Sequence, residues 1–369
     1  MRNILVVALY PNESCPVFSL QLAKALIVNG YSVYAILPAD IDNKSEWIDN
    51  LSSEKICFIE NKKGNGWKGK VQKYTNIVKF TLLRKKYLHS ILNIEFDIVF
   101  YTFFHRWNEL LKRYVKAKRQ ILFVHDPIPH SDEKSNRKKR QKKQIRKMDA
   151  IVVLSKIFIP ICEQEYNLLS DKILYMPHCL MNYGGEKRVF FDKNKEIHFL
   201  FFGRITNYKG LDILIKAFQK VEKLNLNAKL TIAGNGDFSL YEKEFSNLKN
   251  AFLINKYIED EVIKEIFLQE NTVCILPYID ATQSGVIPIA YEYGNPVIAS
   301  DTGGLKEQLF DGEVGIFCVP NDVESLFDCM SQFVENKDLF ILQSEKMIRA
   351  SAQLNWVYAT KVLLEAILL

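Results

Sequence analysis

Residues 200–218 read LFFGRITNYKGLDILIKAF and determine how the middle of the chain folds. The apolar run before Gly203 predicts a buried strand, and the residues after Gly210 predict a helix with its apolar side chains on one face. The turn between them carries Arg204 and Lys209, one near each end. A strand, a tight turn and a helix in this order form the repeating unit of doubly wound α/β domains.

The two cations in this turn indicate an anion site. Arg204 offers a planar fork of N–H donors, Lys209 offers a compact charge, and the start of the helix adds a dipole of the same sign. This combination suits a diphosphate. The alternative is that both are solvated surface charges, as most Lys and Arg side chains are.

Short β-branched runs alternate with amphipathic stretches on both sides of residues 200–218, which predicts parallel sheets with crossover helices. Before this stretch the predicted strands are Ile4–Leu9, Ser32–Leu37, Ile56–Ile59, Asp97–Tyr101, Gln120–Val124, Ala150–Leu154 and Ile173–Met176. From residue 197 onward they are Ile197–Phe202, Lys229–Ala233, Phe252–Ile254, Val273–Leu276, Pro296–Ala299 and Gly315–Cys318. The fold class is therefore α/β, with two Rossmann-like doubly wound domains.

The periodicity lapses over residues 177–196, which are rich in Pro, Gly and charge. We therefore expect an N-terminal domain over residues 1–180, a linker over 181–196 and a second domain over 197–355. A final helix over residues 356–369 could return to the first domain. Two such domains leave a cleft between the carboxyl ends of their strands, where open α/β sheets bind ligands.

Composition excludes several classes of protein. Of the 369 residues, 48% are hydrophobic and 25% charged, so ordinary cores are expected and disordered or fibrous classes are not. No apolar run approaches the roughly 20 residues of a spanning helix, and the start does not read as a signal peptide. The seven cysteines follow neither a C-x-x-C nor a metal spacing, which predicts reduced core residues in a cytoplasmic protein. We expect neither a metal nor a cofactor.

A second anion signal lies at Thr282, Gln283, Ser284 and Gly285, directly before an apolar helix start at Val286. Small side chains and backbone N–H donors at such a start form an anion-binding turn. The alternative is that Ser284 merely caps the helix. The flanking glycine favours phosphate binding, because a cap alone would not need it.

Three segments of the second half follow one another along the chain: the turn at residues 203–210, LTIAGNGD at residues 230–237 and the stretch over residues 275–322. Together they resemble the retaining GT-B glycosyltransferases, family 4 or "group 1", whose C-terminal domain opens with a similar G-R-x-x-x-x-K-G segment. The resemblance is close over most of residues 197–325 and looser before them. It implies two Rossmann-like domains that face each other across a cleft.

The resemblance also implies roles for particular residues. Arg204 and Lys209 would bind the donor diphosphate, the loop at residues 255–257 would face the base, and the N–H groups of Gly285 and Val286 would cap the phosphates. The complete donor set implied is Gly203, Asn255, Tyr257, Thr282, Gln283, Ser284, Gly285, Val286 and Glu292.

One position departs from the family pattern. Many members carry two glutamates eight positions apart across this loop, and the second usually holds the donor ribose or sugar. Asp280 stands near the first, but Pro288 lies eight positions later and Ala290 occupies the place expected for the second. Glu292 is the available substitute, although it lies about 200° around the helix from Ala290.

In the first domain, residues 96–105 and 121–130 each read as a buried strand that leads to a histidine. By the resemblance, His125 faces the cleft and is the candidate to touch the reacting sugar. Asp126 either orients His125 or caps the following turn. We expect structural roles for His105, His130 and His178. Residues 11–16, PNESCP, replace the Gly-Gly found in many members, so the acceptor-side loop is not standard.

The charge is unevenly distributed. Residues 1–185 carry 30 Lys and Arg against 17 Asp and Glu, whereas the remainder carries 19 against 26. The stretches Lys62–Lys86 and Lys134–Lys147 hold nine cations each and no acid, and aromatic residues interleave with the first. This pattern favours an anionic membrane surface. A solvated helix face is the alternative, and no nucleic-acid reader motif supports a nucleic-acid partner.

These features predict a retaining, metal-independent glycosyltransferase with a nucleotide sugar as donor, expected to be a UDP-sugar. The acceptor would be a hydroxyl of a glycan or of a glycan linked to a polyprenyl diphosphate, in surface polysaccharide synthesis at the inner face of the plasma membrane. A non-catalytic assembly subunit and a nucleotide-sugar epimerase remain alternatives. A simple NAD enzyme is disfavoured, because no G-x-G-x-x-G follows the first strand of either domain.

Overall fold

The protein is described by a computed structural model that covers residues 2–11, 14–61, 66–128, 135–185 and 187–368. Some sequence predictions therefore lie outside the described residues: Asn12 and Glu13 of the acceptor-side loop, residues 62–65 and Lys134 of the basic stretches, and His130.

The N-terminal domain is a parallel sheet with helices on both faces. Within the described residues its strands are β1 (Asn3–Val7), β2 (Ser32–Pro38), β3 (Ile56–Ile59), β4 (Glu95–Tyr101), β5 (Lys116–Val124), β6 (Ala150–Val153) and β7 (Ile173–Tyr175), in the order β3-β2-β1-β4-β5-β6-β7. The helices are α1 (Ser14–Val28), α2 (Lys44–Leu51), α3 (Gly66–Tyr87), α4 (Asn108–Leu111), α5 (Ser135–Ile145) and α6 (Ile159–Tyr166).

The C-terminal domain repeats this plan. The strands in its described part are β8 (Ile197–Phe202), β9 (Ala228–Ala233), β10 (Ala251–Ile254), β11 (Thr272–Leu276), β12 (Val297–Ser300) and β13 (Ile316–Cys318), in the order β10-β9-β8-β11-β12-β13. The helices of this domain are α7 (Leu211–Lys223), α8 (Glu242–Phe245), α9 (Asp260–Phe267), α10 (Val286–Tyr293), α11 (Leu305–Gln308), α12 (Val323–Glu335) and α13 (Lys337–Ser351), and they are followed by a last helix, α14 (Trp356–Leu368).

The predicted fold class is confirmed, and each predicted strand has a counterpart. The central strands are largely apolar because helices cover both faces of the sheets, as in β11, where all five residues are buried. The largest difference is β5, which begins at Lys116 rather than Gln120. Its first residues are polar and mostly exposed, yet they pair with β4 from Glu95 onward, so hydrophobicity does not reveal them.

The last helix packs against the N-terminal domain. The Trp356 indole lies edge-on to Phe18 of α1, with ring centroids 5.0 Å apart, and its Nε1 donates to the Leu180 carbonyl oxygen at 2.5 Å. Asn29 Nδ2, just after α1, donates to the Val357 carbonyl oxygen at 3.0 Å. The chain therefore passes from the first sheet to the second between β7 and β8, and it returns to the N-terminal domain at α14.

Candidate functional site

The carboxyl ends of the two sheets face each other, and the loops that leave them meet. His125 and Asp126 follow β5, whereas Thr282 and Gln283 follow β11. Thr282 Oγ1 donates to Asp126 Oδ1 at 2.7 Å, and Gln283 Nε2 lies 3.5 Å from His125 Nδ1. The structure thus brings together residues that the sequence placed in different domains.

The turn after β8 brings a lysine back against the end of its own strand. Gly203 has a φ of 121°, and a Cβ there would lie 2.8 Å from Lys209 Nζ. Gly210 has a φ of 65°, and a Cβ there would lie 2.0 Å from the Pro277 carbonyl oxygen. Positive φ and close approach together require glycine at both positions.

The Lys209 ammonium is buried and forms no salt bridge among the described residues. Its side chain is 8% exposed, and Nζ donates to the Tyr278 hydroxyl at 3.1 Å. Burial and, to a smaller extent, the neighbouring Arg204 guanidinium lower the pKa of Lys209 to about 8. The side chain therefore stays mostly charged at neutral pH, while Arg204 is exposed beside it. Two cations close to each other form a region of positive potential at the end of β8.

The loop before α10 is held by one side chain. Gln308 Oε1 accepts from the Ser284 N–H at 2.7 Å, and Gln308 Nε2 donates to the Ser284 carbonyl oxygen at 3.0 Å. Ser284 Oγ accepts from the Val286 N–H at 3.2 Å, so Ser284 also acts as a local cap. A Cβ on the exposed Gly285 would have nothing within 4 Å. The loop is therefore held in place by side-chain hydrogen bonds and leaves open space at the glycine.

His125 is a neutral, oriented side chain. Its ring stacks on Phe103 with centroids 4.1 Å apart, and Nε2 lies 2.9 Å from the Thr102 carbonyl oxygen. Because a carbonyl only accepts, Nε2 carries the proton and Nδ1 presents a lone pair towards Gln283. Burial, and secondarily His178, lower the pKa of His125 to about 4. His125 can therefore accept a hydrogen bond at neutral pH.

Asp126 has a role that neither sequence interpretation included. Its carboxylate joins the two domains through Thr282, and its carbonyl oxygen accepts from Gln141 Nε2 of α5 at 2.9 Å. Asp126 therefore connects the loop before α10 in the second domain to α5 of the first.

Glu292 faces the linker. It is 3% exposed, and its carboxylate accepts from the backbone N–H groups of Asn182 and of Tyr183, the latter at 2.7 Å. Burial raises the pKa of Glu292 to about 7, although these N–H donors oppose the shift. Its contact with a donor remains a prediction, whereas its contact with the linker is present in the structure.

Asn255 and Tyr257 follow β10, which lies two strands from β8 in the sheet. Asn255 exchanges two hydrogen bonds of 3.2 Å with the Gly236 backbone, and Tyr257 is exposed. They therefore lie at the edge of the site, away from Lys209. Their contact with a nucleotide base remains a prediction.

Two of the remaining histidines are consistent with structural roles. His105 Nδ1 accepts from the Trp107 N–H at 3.3 Å, and His105 is buried. His178 lies edge-on to Phe18, and burial lowers its pKa to about 4.

Sequence reasoning missed Glu307, a residue of α11 that reaches across to the first domain. Its carboxylate accepts from Ser155 Oγ at 2.6 Å and from the N–H groups of Lys156 and Ile157 at 2.9 and 3.3 Å. The available signal was the GGLKEQ segment over residues 303–308, which also contains Gln308. Neither residue received a role, because the groups that they bind are distant in sequence or belong to the backbone.

Acidic side chains face each other at another part of the domain boundary. Asp260 starts α9, and Asp42 and Glu46 belong to the first domain. Burial, and then the neighbouring carboxylates of Glu261, Asp42, Glu259 and Glu46, raise the pKa of Asp260 from 3.8 to about 6. Ionisation of Asp260 therefore opposes the arrangement in which the domains meet here.

This repulsion predicts a pH dependence. Asp260 is protonated in both folded and unfolded states below pH about 4 and ionised in both above about 6, so its contribution to the free energy of unfolding falls as pH rises between these values. After allowance for solvent screening, the loss is about 1 kcal/mol. Urea unfolding of Asp260→Asn should show a gain over the parent that grows by this amount from pH 3.5 to pH 7. Parallel pH profiles for the two proteins would contradict the assignment.

Two features are absent from the described part of the chain. None of its helices is both long and apolar enough to cross a membrane. It also contains no group of three or more His, Cys, Asp or Glu side chains suited to a metal ion.

Comparison with known proteins shows which family the C-terminal domain resembles. Residues 196–336 match the profile described as "Glycosyl transferases group 1". An uncharacterized glycosyltransferase of Methanocaldococcus jannaschii is 29% identical over 130 residues, 34% of this chain and 33% of its own length. The phosphatidyl-myo-inositol mannosyltransferase of Mycobacterium leprae is 27% identical over 156 residues, 42% of this chain and 40% of its own length. The chain thus spans only part of these relatives.

Solved structures match the whole chain at lower identity. The sucrose-phosphate synthase of Thermosynechococcus elongatus has a TM-score of 0.72 at 15% identity and covers 98% of this chain and 96% of its own. Anabaena HepE, in complex with UDP-glucose, has a TM-score of 0.72 at 12% identity, and the match covers 100% of this chain and 99% of HepE. The C-terminal domain therefore matches the glycosyl transferases group 1 family over residues 196–336, and the two domains have the GT-B fold.

Proposed function

We propose that the protein transfers a sugar from a nucleotide donor to a hydroxyl group of an acceptor. The observation that carries this proposal is the buried Lys209 ammonium, which has no carboxylate partner among the described residues and lies against Gly203. Arg204 adds a second positive charge, and Gly285 leaves space nearby for a ligand. A diphosphate supplies the negative charge that this region lacks.

The positive charge acts on the leaving group. As the sugar–phosphate bond breaks, negative charge grows on the diphosphate and the anomeric carbon becomes cationic. Lys209 and Arg204 oppose the growing charge, so they stabilise the transition state more than the ground state. No metal is required for that step. We propose retention of the anomeric configuration, as in the resembling family, with the leaving phosphate taking the proton of the acceptor hydroxyl.

The donor and acceptor would occupy opposite walls of the cleft. A UDP-sugar is the proposed donor, in keeping with the UDP-glucose held by HepE. The acceptor, a glycan or polyprenyl-diphosphate-linked glycan, would lie against the first domain. There the neutral His125 can accept a hydrogen bond from a sugar hydroxyl, and no protein base is required.

Thermal unfolding with a panel of nucleotide sugars tests the proposal. A ligand at 100 times its dissociation constant stabilises a protein by about 2.7 kcal/mol. At least one nucleotide sugar should raise the melting temperature of the parent and fail to do so for Lys209→Met. Absence of stabilisation by every nucleotide sugar would contradict the proposal. Conversion of donor without acceptor would indicate an epimerase, and binding without transfer to any of a range of acceptors would indicate a non-catalytic subunit.

The proposed place of action is an anionic membrane surface at the inner face of the plasma membrane. On α3, Phe80 is buried, whereas Tyr74, Val78 and Leu82 are exposed by 67%, 57% and 75%. Their spacing of four residues places these three on one face. Lys79, Lys85 and Lys86 accompany them, so the helix combines apolar and basic groups as interfacial helices do.

Vesicle sedimentation checks the membrane proposal. Because burying a leucine contributes about 1.5–3 kcal/mol, Leu82→Ser should weaken binding to vesicles with anionic lipid by about tenfold or more. Leu240→Ser is the matched control, since Leu240 is 74% exposed in the other domain. Equal binding to neutral and anionic vesicles, or binding to neither, would contradict the proposal.

A further inference from the structure

Two arginines lie together on the acceptor side of the cleft. Arg106 follows His105 in the loop after β4, and Arg140 belongs to α5. They are near enough for Arg140 to lower the pKa of Arg106, although burial is the larger cause. In the described part of the chain, neither side chain has a salt-bridge partner, and the buried Arg106 Nε has no hydrogen-bond partner. Arg106 is half-buried and Arg140 is exposed. A half-buried guanidinium beside a like charge is unfavourable unless an anion joins the two.

The pair is fixed beside the proposed reaction centre. Gln141, next to Arg140, donates through Nε2 to the Asp126 carbonyl oxygen at 2.9 Å. Gln144, one turn later, donates to the His105 carbonyl oxygen at 3.1 Å. These bonds attach α5 to the two loops that carry Arg106 and His125. Both arginines are therefore positioned by the same contacts that shape the acceptor wall.

Tyr10 forms the other boundary of this region. Its ring lies edge-on to His105 with centroids 5.4 Å apart, and its hydroxyl donates to the Phe104 carbonyl oxygen at 3.1 Å. Tyr10 also lies close enough to affect the pKa of Arg106. The region thus combines an aromatic side chain with two cationic forks, a combination that suits a phosphate group attached to an organic body.

We propose that Arg106 and Arg140 bind a phosphate group of the acceptor. This inference rests on the proposed transfer and adds that the acceptor is a phosphorylated compound rather than a neutral glycan. A guanidinium fork matches two phosphate oxygens, and two forks suit a diphosphate. The site is separate from Lys209 and Arg204, so donor and acceptor phosphates occupy opposite walls.

The test measures binding of geranyl diphosphate by calorimetry with UDP present to fill the donor site. Arg140→Gln and Arg106→Gln should each weaken this binding at least tenfold, as expected for loss of a charged hydrogen bond. Arg106→Lys, which keeps the charge but loses the fork, should give an intermediate loss. Arg119→Gln is the matched control, because Arg119 is exposed near the amino end of β5. Unchanged geranyl diphosphate binding in Arg140→Gln would overturn the proposal.

Two further measurements are needed. One distinguishes an acceptor diphosphate from a lipid headgroup, and the other distinguishes failure of the acceptor proposal from failure of the proposed donor site. A loss confined to phosphatidylglycerol vesicles would assign the arginines to lipid headgroups and overturn the acceptor assignment. UDP affinity is measured for the parent and for Lys209→Met. If this affinity is equal in both proteins, the proposed donor site is wrong. The effect of the arginine variants on geranyl diphosphate binding then still tests the acceptor proposal by itself.

Discussion

Replacing Lys209 by methionine is expected to lower sugar transfer or donor affinity by about 10- to 150-fold. The change removes a charged hydrogen bond, which contributes roughly 1.5–3 kcal/mol, and keeps most of the buried volume. Arg204→Ala is expected to lower sugar transfer or donor affinity by an amount near the lower end of this range, because solvent screens the exposed guanidinium. Initial rates with a nucleotide-sugar donor, together with donor affinity, provide the measurement.

The matched control for this prediction is Lys216→Met. Lys216 is an exposed residue of α7, the helix that follows the turn. Lys216→Met should leave sugar transfer unchanged, because the Lys216 ammonium is already in solvent. Parental rates and donor affinities in both Lys209→Met and Arg204→Ala would show that the site lies elsewhere.

Replacing Glu307 by alanine is expected to weaken the contact between the two domains. The carboxylate accepts three hydrogen bonds from residues 155–157, and their joint loss should shift the balance between closed and open domains by about 2 kcal/mol after water replaces them. That shift is about 30-fold in population. Turnover should fall by up to the same factor where closure precedes transfer, and the radius of gyration from X-ray scattering should increase.

Glu313→Ala is the control for the domain contact. Glu313 is exposed and lies shortly after α11, so its removal changes the net charge equally without touching the first domain. A Glu307→Ala protein with the scattering profile and turnover of this control would contradict the proposed role of the carboxylate.

The sequence predicted the fold well because its main signals are local. Buried parallel strands appear as short apolar runs, and glycines such as Gly203 and Gly210 mark the turns that require positive φ. The start of β5 was missed because its residues pair with β4 mainly through backbone groups, with one salt bridge between Lys118 and Asp97 beside them. Side-chain patterns carry no signal for such pairing.

The local structure of the turn at residues 203–210 could be predicted from the sequence, but the surroundings of its two cations could not. Arg204 and Lys209 carry the charge and spacing of an anion site, and these are visible in the sequence. The burial of Lys209 depends on Tyr278, a residue of another loop that lies 69 positions away. The sequence therefore does not distinguish the two cations, whereas the structure buries Lys209 and exposes Arg204.

Sequence patterns do not predict the contacts between the domains. Glu307 binds residues about 150 positions away, and two of its three partners are backbone N–H groups, which every residue but proline has. Glu292 was considered for the donor because it is the nearest acid to the expected position. Its contact with the Tyr183 N–H follows from the path of the linker, which helical periodicity does not describe.

The most direct test of the donor site is a crystal structure of the protein with UDP. The account predicts diphosphate oxygens within hydrogen-bond distance of Lys209 Nζ and of the Arg204 guanidinium, with one phosphate beside Gly285. A nucleotide bound elsewhere, or one whose phosphates point away from the turn after β8, would contradict it.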